Sequence, residues 1–234
     1  MRVLAVGCHP DDLEIGCGGT LARMAAEGHE VYMCHVCNGD MGHMVIMPDE
    51  LGKLREGEAE NAGAILGAKK VYNVDSGDCR TYSHDDNVRR EMVRIIREVR
   101  PDFIITHDPN DYMEDHLQVS QLVFETSFTA SVAHMYPEYP AYEVVPIYYM
   151  DNLAGHNFLP EDYVDVTEYI DVKIKALECH ESQLKWMLEH DKIDFAEFVK
   201  SCSRFRGLQC GVQYAEGFRG CMAHMRKSTK RMLP

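Results

Sequence analysis

Nowhere in the chain do apolar residues run for the ~20 positions that a membrane-spanning helix needs. The apolar stretch after Met1-Arg2 is too short for the core of a signal peptide and runs straight into His9. Basic residues are outnumbered, 24 Lys and Arg against 38 Asp and Glu, for a net charge of −14. That balance argues against nucleic acid as a partner, because gripping a phosphate backbone takes a basic surface. Internal repeats, low-complexity segments and clear linkers are missing too, so one domain over residues 1–234 is expected. Cysteine is not scarce. Nine cysteines, an odd number at irregular spacing, fit free thiols in a reducing compartment, and a cytoplasmic location is the expectation.

What is present is an alternation of short apolar runs and amphipathic stretches, with 45% apolar residues to build a core. Residues 2–8, 31–37, 71–74 and 102–107 read as strands, and 144–150 as a fifth whose Pro146 places it at an edge or marks its start. Between them, residues 14–27, a stretch from Leu51 to Leu66, a stretch from Val88 to Val99 and one through Val119, Leu122 and Val123 read as helices. Residues 168–190 read as one long helix and 191–200 as a shorter one. This is an α/β pattern, Rossmann-like: a mostly parallel sheet of about five or more strands flanked by helices, with a helical C-terminal segment.

The chemistry gathers where the strands end. Cys8-His9-Pro10-Asp11-Asp12-Leu13-Glu14 joins the first strand to the first helix. In open α/β sheets ligands bind in the crevice outside those carboxyl ends. An imidazole and two carboxylates in four residues offer metal ligands and proton-transfer groups. As a plain helix cap, one aspartate would be accounted for, but not the second, nor His9. Asn38, Asp40, Asp75, Asp78 and the loop Asp108–His116 fall on the same rim. Zinc in a catalytic site takes three protein ligands and a water, so a third ligand is needed. His116 stands on that rim and supplies it; its competing reading is an ordinary surface histidine. Asp115 is placed to accept a hydrogen bond from a ligating imidazole.

With these residues in view, the chain resembles the LmbE/PIG-L family of zinc-dependent N-deacetylases over nearly its whole length. The resemblance rests on His9-Pro10-Asp11-Asp12-Leu13-Glu14, the family's HPDDxE, and on Asp115-His116. Asn38–Gly42, Arg55-Glu56-Gly57-Glu58 with Ala62 and Leu66-Gly67, His180–Gln183 and Tyr214–Phe218 add to it. It implies removal of an acetyl or related acyl group from an N-acetylglucosamine-type conjugate. It implies one Zn2+ per chain, with Fe2+ as the alternative metal, on His9, Asp12 and His116. Asp11 becomes the general base that takes a proton from the zinc-bound water, and a homo-oligomer is expected. One position departs from the pattern. Where members carry the first histidine of an HPDH motif, an oxyanion donor, this chain has Met113. Tyr112, His43 and Arg55 are the candidate replacements.

Other signals compete. Arg55 and Glu58 also fit a solvated helix face, and His180 a core histidine. Cys34-His35-Val36-Cys37 has CxxC spacing, but residues three apart on a strand point to opposite faces. Gly16-Cys17-Gly18-Gly19 resembles a dinucleotide fingerprint, although Leu21 occupies the last glycine position. The alternative function is therefore a Rossmann-like nucleotide- or sugar-binding protein without hydrolytic activity. Residues 41–50 and 129–165 are where substrate-specific contacts are expected.

Overall fold

The computed structural model describes residues 1–234. Seven strands form one sheet: β1 Arg2–Gly7, β2 Glu30–Cys37, β3 Lys70–Ser76, β4 Phe103–Thr106, β5 Ile147–Met150, β6 Asp162–Asp165 and β7 Ala215–Gly220. Their order is β3-β2-β1-β4-β5-β7-β6. The first five are parallel, and β7 runs antiparallel to both β5 and β6. Along β1, Leu4 and Val6 enter one core, while Val3 and Ala5 enter the other. A strand covered on both faces needs that unbroken apolar run.

The helices are α1 Asp12–Ala26, α2 Pro48–Leu66, α3 Asp86–Val99, α4 Glu114–Thr129, α5 Ile170–Leu177, α6 Glu181–Trp186 and α7 Phe195–Cys210. Local chemistry sets several ends. Pro48 opens α2 and Gly67 closes it at φ 80°. Asp85 caps α3 by accepting from the N–H groups of Asn87 and Val88. No helix is long and apolar enough to cross a membrane.

The C-terminal third corrects the sequence reading. β6 and β7 were not anticipated, and β5 is an interior strand that starts just after Pro146. Residues 168–190 are not one helix. A 3-10 turn leads into α5, the chain leaves helical geometry at His180 (φ −82°, ψ 56°), and α6 ends in a π turn over Met187–Asp191. The shorter helix begins later, at Phe195, where Asp194 caps it, and runs on to Gly211. Partners far apart impose the break. On α5, Lys173 donates to the Ile15 carbonyl and to Glu216 Oε1, at 2.8 and 2.5 Å. On α6, Ser182 donates its N–H and hydroxyl to Glu58 at 2.8 and 2.7 Å. A straight helix cannot aim at both.

Glu216 also accepts the N–H groups of Gly19 and Thr20 at 2.8 and 2.7 Å, so the Lys173–Glu216 pair pins α1, α5 and β7 together. Both side chains are buried. Lys173→Met keeps the apolar stem and removes the charge, leaving a buried carboxylate without its cation. The expected loss is roughly 3–5 kcal/mol in urea unfolding. A loss below about 1 kcal/mol would mean that the two backbone N–H groups satisfy Glu216 alone.

Candidate metal centre

The strand order reverses direction between β1 and β4, which opens a crevice beyond their carboxyl ends. The loop after β1 delivers His9, Asp11 and Asp12 to it. The loop after β4 and the first turn of α4 deliver His107, Asp111, Asp115 and His116. Donor atoms of His9, Asp12 and His116 all lie within 4.8 Å of one another. His9 Nδ1 is 3.5 Å from Asp12 Oδ2, and His116 Nε2 is 3.4 Å from Asp12 Oδ1. Tetrahedral donors on zinc, at bond lengths of about 2.0–2.1 Å, sit about 3.3–3.4 Å apart. His116 Nε2 is buried without a hydrogen-bond partner, while its Nδ1 is 3.1 Å from Asp111 Oδ2. Such a ring, oriented at the back and unpartnered at the front, fits a ligand to a cation.

The electrostatics fit a cation too. Burial opposes charging His9, yet Asp115 and Asp12 hold it well above the usual imidazole range. Burial likewise opposes His116, and Asp12 and Asp111 bring it to about 9. Burial pushes Asp12 up, but His116 and His107 outweigh it and hold the carboxyl well below its usual range. The carboxylates therefore favour positive charge beside His9 and His116, while burial and the neighbouring His116 hold His107 below the usual imidazole range.

Asp11 faces the same crevice in a different state. Its backbone, at φ 123°, lies where non-glycine residues are strained. It occupies the N-cap position of α1 but makes no capping hydrogen bond, and Asp12 accepts the His9 N–H at 2.6 Å, so neither aspartate is a side-chain cap of the helix. Burial raises Asp11 to about 6, against the pull of Arg55. Arg55 Nη2 donates to Asp11 Oδ2 at 3.0 Å and to the Pro10 carbonyl, and Nη1 donates to the Gly39 carbonyl. Arg55 and Glu58 are buried, not part of a solvated face.

Of the other expected residues, Asp115 Oδ2 is 3.2 Å from His9 Nε2, as an imidazole partner should be. Tyr112 is half-exposed, edge-on to the His156 ring. His43 Nδ1 accepts from the Val45 and Ile46 N–H groups at 3.0 Å, and its ring rests on Trp186, so it serves first to shape its own loop. The rim carboxylates are mostly internal fastenings. Asp78 accepts from the Gly39 and Met41 N–H groups, Asp40 holds Arg80, and Asn38 holds Asp75.

Sequence reasoning missed His107, whose ring stacks on His116 at 3.9 Å and whose Nε2 lies 3.2 Å from Asp12 Oδ2. Its place at the end of β4 was the available signal. Asp111, behind His116, was legible only as one of several loop aspartates. His180 is fully buried, 3.5 Å from Glu14, which makes it a core histidine beneath the site. The CxxC geometry also changes. Pairing with β3 becomes irregular between His35 and Cys37, with the extra residue on β3, and at this strand end Cys34 and Cys37 enter the same core instead of opposite faces.

A doubly wound α/β fold with a histidine–carboxylate cluster, a candidate metal centre, at its switch point is the class that these features define. The chain belongs to the PIG-L family, GlcNAc-PI de-N-acetylase, whose model matches residues 4–127. It is 29% identical to the diacetylchitobiose deacetylase of Thermococcus kodakarensis, over 93% of this chain and 82% of that protein. The N,N'-diacetylchitobiose deacetylase structure from Pyrococcus horikoshii superposes with a TM-score of 0.81 at 27% identity, covering 94% of this chain and 83% of that one. GalB, the 4-carboxy-2-hydroxymuconate hydratase from Pseudomonas putida KT2440, shares the fold with a TM-score of 0.82 at 24% identity, over 99% of both chains.

The nucleotide-binding alternative finds no support in the glycines. A Cβ on Gly19 would meet Val166 at 2.8 Å, and its N–H is already given to Glu216. That glycine lets β6 and its following turn approach α1; it does not cradle a phosphate.

Proposed function

We propose that the protein is a metal-dependent N-deacetylase that releases acetate from an N-acetylglucosamine-type amino-sugar conjugate, with Zn2+ held by His9, Asp12 and His116. The observation that carries this reading is the convergence of that donor set with Asp11, a second carboxylate kept free of ligand duty on a strained turn. Family membership and the named deacetylase relatives support it. A divalent ion bound there polarises an amide carbonyl and lowers the pKa of a water.

The chain's own residues do the rest. With a pKa of about 6, Asp11 is mostly ionised at neutral pH yet basic enough to accept a proton from the attacking water. Arg55 keeps that carboxylate turned toward the crevice. As the C–N bond breaks, Asp11 returns the proton to the departing nitrogen, leaving acetate and a primary amine. Asp115 and Asp111 fix the rings of His9 and His116.

The test is to load the purified chain with Zn2+, supply N-acetylglucosamine conjugates and measure acetate and primary amine together. Equal release supports the reading. No release from any conjugate by the loaded protein counts against it.

The oxyanion needs a donor, and the Met113 thioether cannot be one. The Tyr112 phenol is next in sequence, so we assign it that part. Tyr112→Phe is expected to lower kcat by about 10-fold or more, with KM and metal content held, the signature of a contact made in the transition state. Met113→His is expected to restore turnover in the Tyr112→Phe background. Unchanged kcat in Tyr112→Phe would remove the tyrosine from the mechanism.

A further inference from the structure

Behind His9 lies a second group of metal-ligating atoms that the proposed reaction does not use. Cys8 follows β1 and Cys37 ends β2, its neighbour in the sheet. At the end of β2, Cys37 Sγ lies 3.3 Å from Cys8 Sγ. Cys8 Sγ is 3.6 Å from His9 Nε2, and that nitrogen is 3.2 Å from Asp115 Oδ2. One donor atom from each of Cys8, His9, Cys37 and Asp115 lies within 4.8 Å of the other three. Both thiols are fully buried, and neither is in a disulfide.

We propose that Cys8, Cys37, Asp115 and His9 Nε2 form a second cation site, selective for a thiophilic divalent ion such as Cd2+ or Zn2+. Two sulfurs, a nitrogen and a carboxylate oxygen at these separations are a tetrahedral donor set. Bonds of about 2.3 Å to sulfur place two sulfurs about 3.8 Å apart and sulfur from nitrogen about 3.6 Å. The two sulfurs therefore part by about 0.5 Å from where they stand, as the S–H contact between them is lost. Soft sulfur selects against Mg2+ and Ca2+, which take oxygen. As the two metal–sulfur bonds form, two thiol protons leave to solvent.

The site is tied to its neighbour through one ring. His9 Nδ1 faces Asp12, and Nε2 faces Asp115 and the Cys8 thiol. A neutral imidazole has a single free lone pair, so an ion on the thiols draws His9 away from the Asp12–His116 side. Thiophilic ions in excess are thus expected to weaken ion binding there. The inference rests on the thiols and the ring, and does not require that the reaction be deacetylation.

The test uses the full chain, stripped of metal, reduced and kept anaerobic. Cd2+ is titrated while thiolate-to-cadmium charge-transfer absorption is followed in the wild type and in Cys37→Ser, Cys8→Ala, His116→Ala and, as a control, Cys210→Ser. One equivalent of sulfur-bound Cd2+ is expected in the wild type, His116→Ala and Cys210→Ser, with affinity at least ~10-fold weaker in Cys37→Ser and Cys8→Ala. Retention in His116→Ala separates this site from the proposed hydrolytic one. Cadmium NMR of the wild type gives a second reading should the cysteine variants not fold, with one resonance expected in the sulfur-rich range. A wild type without the absorption band, a band unchanged in both cysteine variants, or resonances only in the nitrogen–oxygen range would overturn the proposal.

Discussion

His116→Ala is expected to lose the divalent metal held with His9 and Asp12 and, with it, more than ~100-fold of the activity. The argument is geometric. His116 Nε2 is a buried nitrogen with no hydrogen-bond partner, 3.4 Å from a carboxylate oxygen. Its own N–H side is anchored on Asp111. Two donors, His9 and Asp12, remain after the substitution, too few for a closed set. The chain should stay folded, because Asp12 keeps His107 beside it and the two cores are untouched. Plasma mass spectrometry of the purified variant, with circular dichroism as the check on folding, decides the matter. A full equivalent of metal in a folded His116→Ala, Cys37→Ser double variant, in which the thiol group behind His9 is also broken, would reject His116 as a ligand.

Asp11→Asn is expected to do the opposite with metal. Occupancy holds, and turnover falls by at least ~10²-fold, the scale of a lost general base. Asparagine is nearly isosteric and tolerates the positive φ at this position. Its amide oxygen still accepts from Arg55, so the turn keeps its shape, while the proton acceptor is gone. Asp12→Ala, one residue on, is expected to lose the metal shared with His9 and His116, and activity with it. Kinetics and metal content on the same preparations separate the two aspartates. Unchanged turnover in Asp11→Asn would reassign the base.

Much of this was legible in the sequence because the local signals are strong and short in range. Apolar runs flanked by turn residues marked β1 to β5. The reversal of burial along α3 was written in the spacing of Val88, Met92, Ile95, Ile96 and Val99. His9, Asp11 and Asp12 were legible because a strand end is a fixed place in a doubly wound sheet, whatever surrounds it. His116 followed from the same rule, applied to β4.

The rest depended on partners distant in sequence. Nothing local in residues 168–190 says that the chain must leave the helix at His180; the positions of Glu216, Ile15 and Glu58 decide it. Tyr214–Phe218 carries too few apolar residues to announce a strand, and Glu216 at its centre argues against one until Lys173 is seen beside it. Arg55 reads as surface charge on α2 and becomes a buried fastening only because Asp11 and two carbonyls converge on it. The meeting of Cys37 with Cys8, at the end of β2, is equally invisible in a strict alternation of faces. By itself the sequence determined the parallel sheet and the residues offered at its rim, since both follow from patterns a few residues long. Only the tertiary structure decided which of those polar groups meet across the crevice and which are consumed in holding the loops. Those meetings join residues such as Asp12 and His107 across some hundred positions of chain, a pairing that only the packed sheet can specify.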